Sequence, residues 1–505
     1  MAKSKNTVIE REDIVVKFVG DSGDGMQLTG TLFSDTAALE GADLATFPDY
    51  PAEIRAPHNT IAGVSGFQVH FGQKVYSSGD MCDLLVAMNP ASLRANLKWV
   101  KKGGSIILDT DAFDEKALEK SGYKTNPLED DSLSSYNVMK APITTMTREA
   151  LKDQGLDNKT ADKTKNMFTL GMTYFLFGWS LDATNLFFEK KFKKNPAMIK
   201  ANKTVLKAGY FYAETIEAMA SLYRVPAAKL EKGKYRNITG NVATAWGLLA
   251  AAERSGRPLF LGSYPITPAT EILMELAKHK SLGAKVFQAE DEIAGICSAI
   301  GASYTGAMAC TTTSGPGLSL KSEAIGLAVM TELPLVIVNV QRGGPSTGLP
   351  TKSEQSDLMQ ALWGRNGECP VVVIAASSPA NCFYFAFEAA KISMEHMTPV
   401  ILLTDGYLGN GSELFKIPKV SSLPKINPPI AKANDPDYKP YRRDERLVRQ
   451  WALPGTEGLR HRVGGLEKEN ITGNVSTDPL NHQIMTDLRY NKVMKIADVL
   501  PDQEL

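Results

Sequence analysis

Three consecutive acids, Glu290, Asp291 and Glu292, stand where a charged turn gives way to the small and apolar run IAGICSAIGASYTGA at 293–307. Acids at the mouth of a helix are stabilising in their own right. Glu292 differs from its neighbours because it opens the apolar stretch, where Ala, Gly and Ser let another backbone approach closely. A carboxyl placed there is partly desolvated and its pKa is raised, which suits an acid that relays protons. Upstream, Tyr264-Pro265-Ile266-Thr267-Pro268 sets one threonine between two prolines, fixing φ at both proline sites. The same residues also suit a proline-bounded helix start, with Thr267 as N-cap and Pro268 at the first helical position. Downstream, Thr311-Thr312-Thr313-Ser314-Gly315-Pro316-Gly317 forms a polar turn. The segment Gln341-Arg342-Gly343-Gly344-Pro345-Ser346-Thr347-Gly348-Leu349-Pro350-Thr351 then holds a lone arginine among glycines and hydroxyls, an arrangement fit for a bidentate clamp on a carboxylate. Taken singly, each loop is compatible with surface turn chemistry; four at successive strand ends point to a site.

The elements that must position these loops follow from hydrophobic periodicity. Strands are predicted at 258–262, 285–289, 307–312, 334–340, 371–376 and 399–404, with helices at 240–254, 268–279, 291–304, 318–331 and 379–395. Alternation of this kind predicts a doubly wound α/β domain over 238–411, with a ligand at the carboxyl ends of its strands. A similar pattern precedes it: strands at 14–19, 62–71, 83–88 and 104–109, helices at 26–40 and 90–100, then three helices at 166–178, 182–193 and 196–221. Residues 1–224 therefore read as a first α/β domain with a helical C-terminal part, and the polar stretch 225–237 as a linker. From 412 the prolines at 418, 424, 428, 429, 436 and 440 break regular structure. Residues 412–505 read as an extended tail that wraps a neighbour.

In the first domain, Gly20, Gly23 and Gly25 sit where a strand meets a helix, the context of a phosphate cradle. The spacing is G-x-x-G-x-G, and Asp21 and Asp24 put negative charge where phosphate would lie. Gly23-Asp24-Gly25 also matches half of a diphosphate–magnesium signature, but no asparagine follows in ATFPDYPAE at 45–53. A tight structural or interface turn is the reading these residues favour.

Composition excludes several classes. Lys+Arg and Asp+Glu balance at 56 each, so no nucleic-acid footprint is expected, and the run from Lys190 to Lys194 reads as a solvated helix end. No stretch reaches the roughly 18 apolar residues of a membrane span, and the N-terminus has no secretory pattern, so a cytoplasmic protein is expected. Five scattered cysteines form no CxxC pair, which argues against an iron–sulfur cluster in this chain. Six dispersed histidines argue against zinc.

At YPITP, AEDEIAGICSAIGASYTGA (289–307), TTTSGPG and QRGGPSTGLPT, the sequence resembles the 2-oxoacid:ferredoxin oxidoreductases, specifically the large subunit that fuses the family's gamma and alpha modules. The resemblance extends to VGDSGDGM near the N-terminus and to PGTEGLRHRVGGLEKE at 454–469. It implies that 238–411 is a pyrimidine-binding domain for thiamine diphosphate. It also implies that Glu292 hydrogen-bonds N1′ of the aminopyrimidine, favouring the imino tautomer whose 4′-nitrogen deprotonates thiazolium C2. Glu290 is the competing choice, less suited by its spacing to Gly301 and Gly306. Tyr264, Pro265, Ile266 and Thr267 would lie beside the cofactor, and Arg342 and Thr351 would hold the 2-oxoacid.

The expected reaction is oxidative decarboxylation of a 2-oxoacid, with capture by coenzyme A as an acyl-CoA and one-electron transfer to ferredoxin. The fused arrangement resembles 2-oxoglutarate enzymes most; pyruvate or a branched-chain acid is the alternative substrate. A non-redox thiamine enzyme subunit and a non-catalytic scaffold are the alternatives from other classes. Magnesium and a [4Fe-4S] cluster are expected in a smaller beta subunit, within an (αβ)₂ assembly. Two departures from the family pattern stand out. Fused subunits continue past such a tail into another α/β domain of ~100 residues, so the chain is expected to be either cut short or a shorter variant. Asn366 also stands where histidine is more usual, with an expected effect on substrate choice.

Overall fold

The computed structural model describes residues 7–51, 56–216 and 221–502. The chain divides into two compact units, Met1–Asn237 with Ser412–Lys416, and Ile238–Gly411 with Ile417–Leu505.

The first unit contains strands β1 (Thr7–Glu10), β2 (Asp13–Asp21), β3 (Asp43–Asp49), β4 (Val64–Gly72), β5 (Cys82–Ala87), β6 (Val100–Asp109), β7 (Asn137–Ala141) and β8 (Ser221–Arg224), with β9 (Tyr235–Thr239) at its edge. Its main sheet runs β7-β6-β5-β2-β4-β3, then the strand Ser412–Lys416, then β9. The β5, β6 and β7 half is parallel, whereas β4 runs antiparallel to both β2 and β3. Every residue of β2 after Asp13 is buried, which explains why its apolar residues, interrupted only by Lys17 before Gly20, do not alternate with polar ones: helices cover both sides. At the centre, Phe33 lies 5.3 Å from Phe18, 5.5 Å from Phe71 and 4.8 Å from Trp179 between ring centroids. Helices Lys165–Phe177 and Pro196–Thr215 cross in backbone contact; a Cβ on Gly209 would lie 2.0 Å from the Phe168 carbonyl. Residues 217–220, the expected continuation of that last helix, lie outside the described residues. The basic run closes the helix Asp182–Lys191.

The glycine loop after β2 is a braced turn. The Asp21 amide donates to Asp24 Oδ2 at 2.8 Å, and Lys165 Nζ pairs with Asp24 Oδ1 at 2.9 Å. Asp21 in turn accepts from the Asn59 amide at 2.9 Å. The loop thus satisfies its own amide with a carboxylate where a phosphate cradle would present bare N–H groups, the structural-turn alternative among the sequence readings.

The second unit holds a parallel sheet of six strands: β10 (Leu259–Ser263), β11 (Lys285–Gln288), β12 (Met308–Thr313), β13 (Leu335–Gln341), β14 (Val372–Ala375) and β15 (Pro399–Asp405). Their order is β11-β10-β12-β13-β15-β14. From β10 the chain steps outward to β11 and then returns to the opposite side as β12. The topological switch point therefore lies at the carboxyl ends of β10 and β12, where doubly wound sheets place ligands. Helices Glu292–Tyr304 and Ser322–Thr331 share one core with Ile337, Ile401 and Leu403. Helices Gly240–Ser255 and Asn381–His396 pack on each other, made possible by Gly247, whose Cβ would meet the Phe383 carbonyl at 2.2 Å.

The C-terminal stretch departs from an independent extended tail. Ser412–Lys416 is a strand, β16, that joins the first unit's sheet beside β3. The predicted linker also bonds to the first unit, through the Ala228 amide to the Gly41 carbonyl at 2.8 Å. From Ile417 the chain belongs to the second unit and buries Tyr441, Arg449 and Trp451 there. It ends in a helix, Pro479–Ile496, with Asp478 as N-cap and proline at the first turn. The attachment is ionic as well as apolar. Glu332, 1% exposed, is paired with Arg443 and with Lys492 Nζ at 2.9 Å, and Arg449 donates to the carbonyls of Thr331 and Glu332. Among the described residues, no helix is long and apolar enough to cross a membrane.

Candidate active site

The four loops singled out by residue type meet at the carboxyl ends of β10, β12 and β13. Their assembly starts with glycine. Gly262 in β10 lets the helix Glu292–Tyr304 lie directly on the strand: a Cβ there would be 2.5 Å from the Gly295 carbonyl. That approach brings the helix entrance to the sheet end. Asp291 is its N-cap, accepting from the Ala294 amide at 2.7 Å, so the cap leaves Glu292 for other work. Glu292 is 8% exposed. Its side chain lies over Gly317, where an added Cβ would be 2.8 Å from Glu292 Cγ and 1.9 Å from Thr313 Oγ1. The polar turn after β12 is thus a floor that only glycine can provide. Ser263 locks the two strand ends together, bonding the Thr312 carbonyl and hydroxyl at 2.8 Å each.

Arg342, at the end of β13, is buried and faces the same region. Its Nη1 donates to the Thr267 carbonyl at 2.7 Å and its Nη2 to the Thr347 carbonyl at 3.1 Å. Burial pulls its pKa down, and the negative charge of Glu292 opposes that pull. Nε is buried without a hydrogen-bond partner, as is Ser314 Oγ. Arg342 therefore joins the YPITP turn to its own glycine-rich loop, a structural duty the sequence reading did not anticipate.

Tyr264 and Thr267 are exposed at this edge, with Pro265 and Ile266 half-buried between them. The following helix starts at Thr270, capped by Ala269, so Thr267 is not the N-cap nor Pro268 the first helical residue. Instead the Thr270 amide and hydroxyl both bond the Ile266 carbonyl at 3.0 Å. Thr351 is half-buried in the loop that begins at Arg342; the Gly343 amide reaches the neighbouring Lys352 carbonyl at 2.9 Å. Glu290, the competing acid, precedes the helix and is exposed. Asn366 lies apart: it lines a cavity of about 460 Å³ with Cys369, Thr486 and Arg489, outside all four loops.

Two groups escaped the sequence reading. Lys321 is wholly buried, and its Nζ donates to the Glu292 carbonyl at 2.7 Å. Asp357 accepts from Asn339 Nδ2 at 2.9 Å while its amide donates to Gln341 Oε1 at 2.9 Å, fixing the return of the Arg342 loop. Asn339 and Gln341, polar residues inside the otherwise apolar strand LVIVNVQ, were the available signal.

A parallel sheet carries a buried glutamate over a glycine floor at its switch point, with an arginine at the adjacent strand end, an arrangement able to hold an organic cofactor. Residues 251–477 match the family of pyruvate flavodoxin/ferredoxin oxidoreductase thiamine-diphosphate-binding domains, and residues 15–212 match the pyruvate ferredoxin/flavodoxin oxidoreductase family. Subunit KorA of 2-oxoglutarate oxidoreductase from Mycobacterium tuberculosis is 52% identical over 98% of this chain and 76% of its own length. Subunit alpha of 2-oxoacid:ferredoxin oxidoreductase 1 from Aeropyrum pernix is 27% identical over 97% of this chain and 79% of its own. In structure, the chain is similar to the 2-oxoglutarate:ferredoxin oxidoreductase of Magnetococcus marinus, solved with 2-oxoglutarate, coenzyme A and succinyl-CoA bound. That likeness has a TM-score of 0.83 at 31% identity and covers 97% of this chain and 80% of that one. The chain belongs to the 2-oxoacid:ferredoxin oxidoreductases, as an alpha subunit.

Proposed function

We propose that this subunit serves the oxidative decarboxylation of 2-oxoglutarate with coenzyme A, giving succinyl-CoA, carbon dioxide and reduced ferredoxin. The observation that carries the reading is the Glu292 side chain, buried over Gly317 at the sheet's switch point with Arg342 at the adjacent strand end. The 52% identity to a 2-oxoglutarate oxidoreductase subunit supports the choice of acid.

Thiamine diphosphate fits this half-site. A buried carboxyl on a glycine floor suits a flat heteroaromatic ring with one nitrogen to hydrogen-bond, and Ser314 Oγ and Arg342 Nε are buried polar atoms on these loops that lack a hydrogen-bond partner. When bound, the cofactor supplies the carbanion-stabilising centre that makes loss of carbon dioxide feasible. Glu292 holds the proton shared with N1′ of the aminopyrimidine. Tyr264, Pro265, Ile266 and Thr267 border the ring. Arg342, already anchored through both terminal nitrogens, keeps Nε and its charge for the carboxylate end of the substrate, with Thr351 on the same loop. Among the described residues, no group of three or more His, Cys, Asp or Glu is arranged to hold a metal. In this reading magnesium and the [4Fe-4S] cluster belong to a smaller partner subunit, in an (αβ)₂ assembly of the cytoplasm.

The test is viologen or ferredoxin reduction by the co-purified complex, with coenzyme A and a panel of 2-oxoacids. Coenzyme-A-dependent reduction with 2-oxoglutarate is expected. Reduction with pyruvate or a branched-chain acid instead would move the substrate within the class, and none in a cofactor-loaded complex would overturn the reading.

A further inference from the structure

Among the described residues, Lys321 is the one lysine with no exposure at all. It sits between the helices Gly315–Leu320 and Ser322–Thr331, directly beyond the glycine floor. A lysine amine in such a place costs free energy by desolvation, and an apolar side chain of similar length would pack there without that cost. The amine is spent on one contact: Nζ donates to the Glu292 carbonyl oxygen at 2.7 Å. The first residue of a helix has a carbonyl already engaged by the fourth residue on, so this is a second, lateral bond to the peptide that carries the Glu292 side chain.

We infer that Lys321 is the positioning residue for Glu292, fixing the peptide that carries its side chain over the Gly317 floor. The inference rests on the role proposed above for Glu292. The charged and titratable neighbours are few. Glu292, Asp291 and Cys297 on the helix Glu292–Tyr304 act on Lys321, and Arg342 at the end of β13 acts on Glu292. Burial pulls the Lys321 amine down to about 8, with Glu292 and Asp291 holding it up. Both Lys321 and Arg342 interact electrostatically with Glu292, Lys321 while bonded to its backbone carbonyl. Removing the Lys321 amine frees the Glu292 peptide from this lateral hold, so its side chain is no longer fixed over the Gly317 floor.

The experiment compares Lys321→Met, Lys321→Arg and Glu292→Gln in the complex with the partner subunit, each checked by thermal melting. Three readouts are taken: thiamine diphosphate affinity by titration, near-ultraviolet circular dichroism of the bound aminopyrimidine, and steady-state kcat and KM. For K321M the expected result is a changed aminopyrimidine signal and a kcat lowered about 10- to 100-fold, part of what a general acid–base group contributes. Its KM for 2-oxoacid should stay within about 2-fold, because the Arg342 clamp is untouched. K321R should restore most of both. A K321M complex with the wild-type signal and kcat overturns the inference, as does K321R failing in step with K321M while both melt normally. If K321M does not fold, Lys321→Gln supplies the same comparison. E292Q separates the two levels: a fully active E292Q removes the proposed role of Glu292, whereas an inactive E292Q beside a normal K321M sinks Lys321 alone.

Discussion

Arg342 Nη1 donates to the Thr267 carbonyl at 2.7 Å, joining two loops whose residues lie 75 positions apart in the chain. With Nη2 on the Thr347 carbonyl, the guanidinium is both a charge at the site and the brace of its walls. Arg342→Ala should therefore lower kcat/KM for the 2-oxoacid by about 100-fold, the loss of a charged hydrogen-bonding group. Arg342→Lys keeps the charge but not the planar fork, and should recover only a minor part. An R342K enzyme with wild-type kcat/KM would remove the brace from the account.

Glu292→Gln is expected to leave folding intact, because Asp291 and not Glu292 caps the helix. Gln keeps the shape and cannot relay the proton, so turnover should fall by roughly 10²- to 10⁴-fold. Stopped-flow or steady-state acceptor reduction measures it; near-normal turnover would place the proton relay elsewhere.

Gly317→Ala tests the floor. The new Cβ would sit 1.9 Å from Thr313 Oγ1 and 2.8 Å from Glu292 Cγ, so one or both must move. Overpacking of this kind costs about 1–3 kcal/mol of stability. The sharper expectation is a loss of cofactor affinity, read by thiamine diphosphate titration against the variant's own melting curve.

Sequence patterning reached the sheet of the second unit and the loops at its strand ends, because each βα unit there carries its own apolar run and turn residues. It singled out Glu292, which the structure buries, because an acid facing a run of Ala, Gly and Ser has few structural explanations. It did not reach β3, whose run DLATFPD contains Pro48 and alternates in burial rather than reading as continuous apolar sequence. The helix Pro479–Ile496 was announced only by Asp478-Pro479, a cap and first-turn signal hidden behind a proline-rich stretch. Lys321 could not be found at all from pattern, since a lysine in a helical stretch reads as solvated and only tertiary packing buries it.

His396 predicts an acid-sensitive fold. It is 6% exposed with Nδ1 unpartnered; burial first, then the cations Arg446 and Lys492, push its pKa down to about 4. Between that value and the ordinary 6.5 the unfolded chain binds a proton that the native one refuses. Stability should be full above about pH 6.5 and fall progressively toward pH 4, by roughly 3 kcal/mol for this one group. Melting temperature against pH should show the slope, and His396→Gln should flatten part of it.

Glu332→Gln should be the most damaging single change in the second unit. It leaves Lys492 and Arg443 buried without their counter-ion, a loss of about 3–5 kcal/mol. Denaturant midpoints and protease cleavage after residue 417 would both register it; an unchanged midpoint would mean that the tail is held by its apolar contacts alone.

β16 carries a consequence for how this chain comes into being. Its five residues complete the first unit's sheet, yet they are synthesised only after the whole of β10 to β15. Until residue 416 has left the ribosome, β3 presents a bare edge of amides and carbonyls, the kind of surface that captures stray strands. Each unit is built from two separate stretches of the chain, so a single peptide-bond break cannot yield two whole halves. Any attempt to express the first unit by itself must carry Ser412–Lys416 along, grafted on or supplied as a peptide.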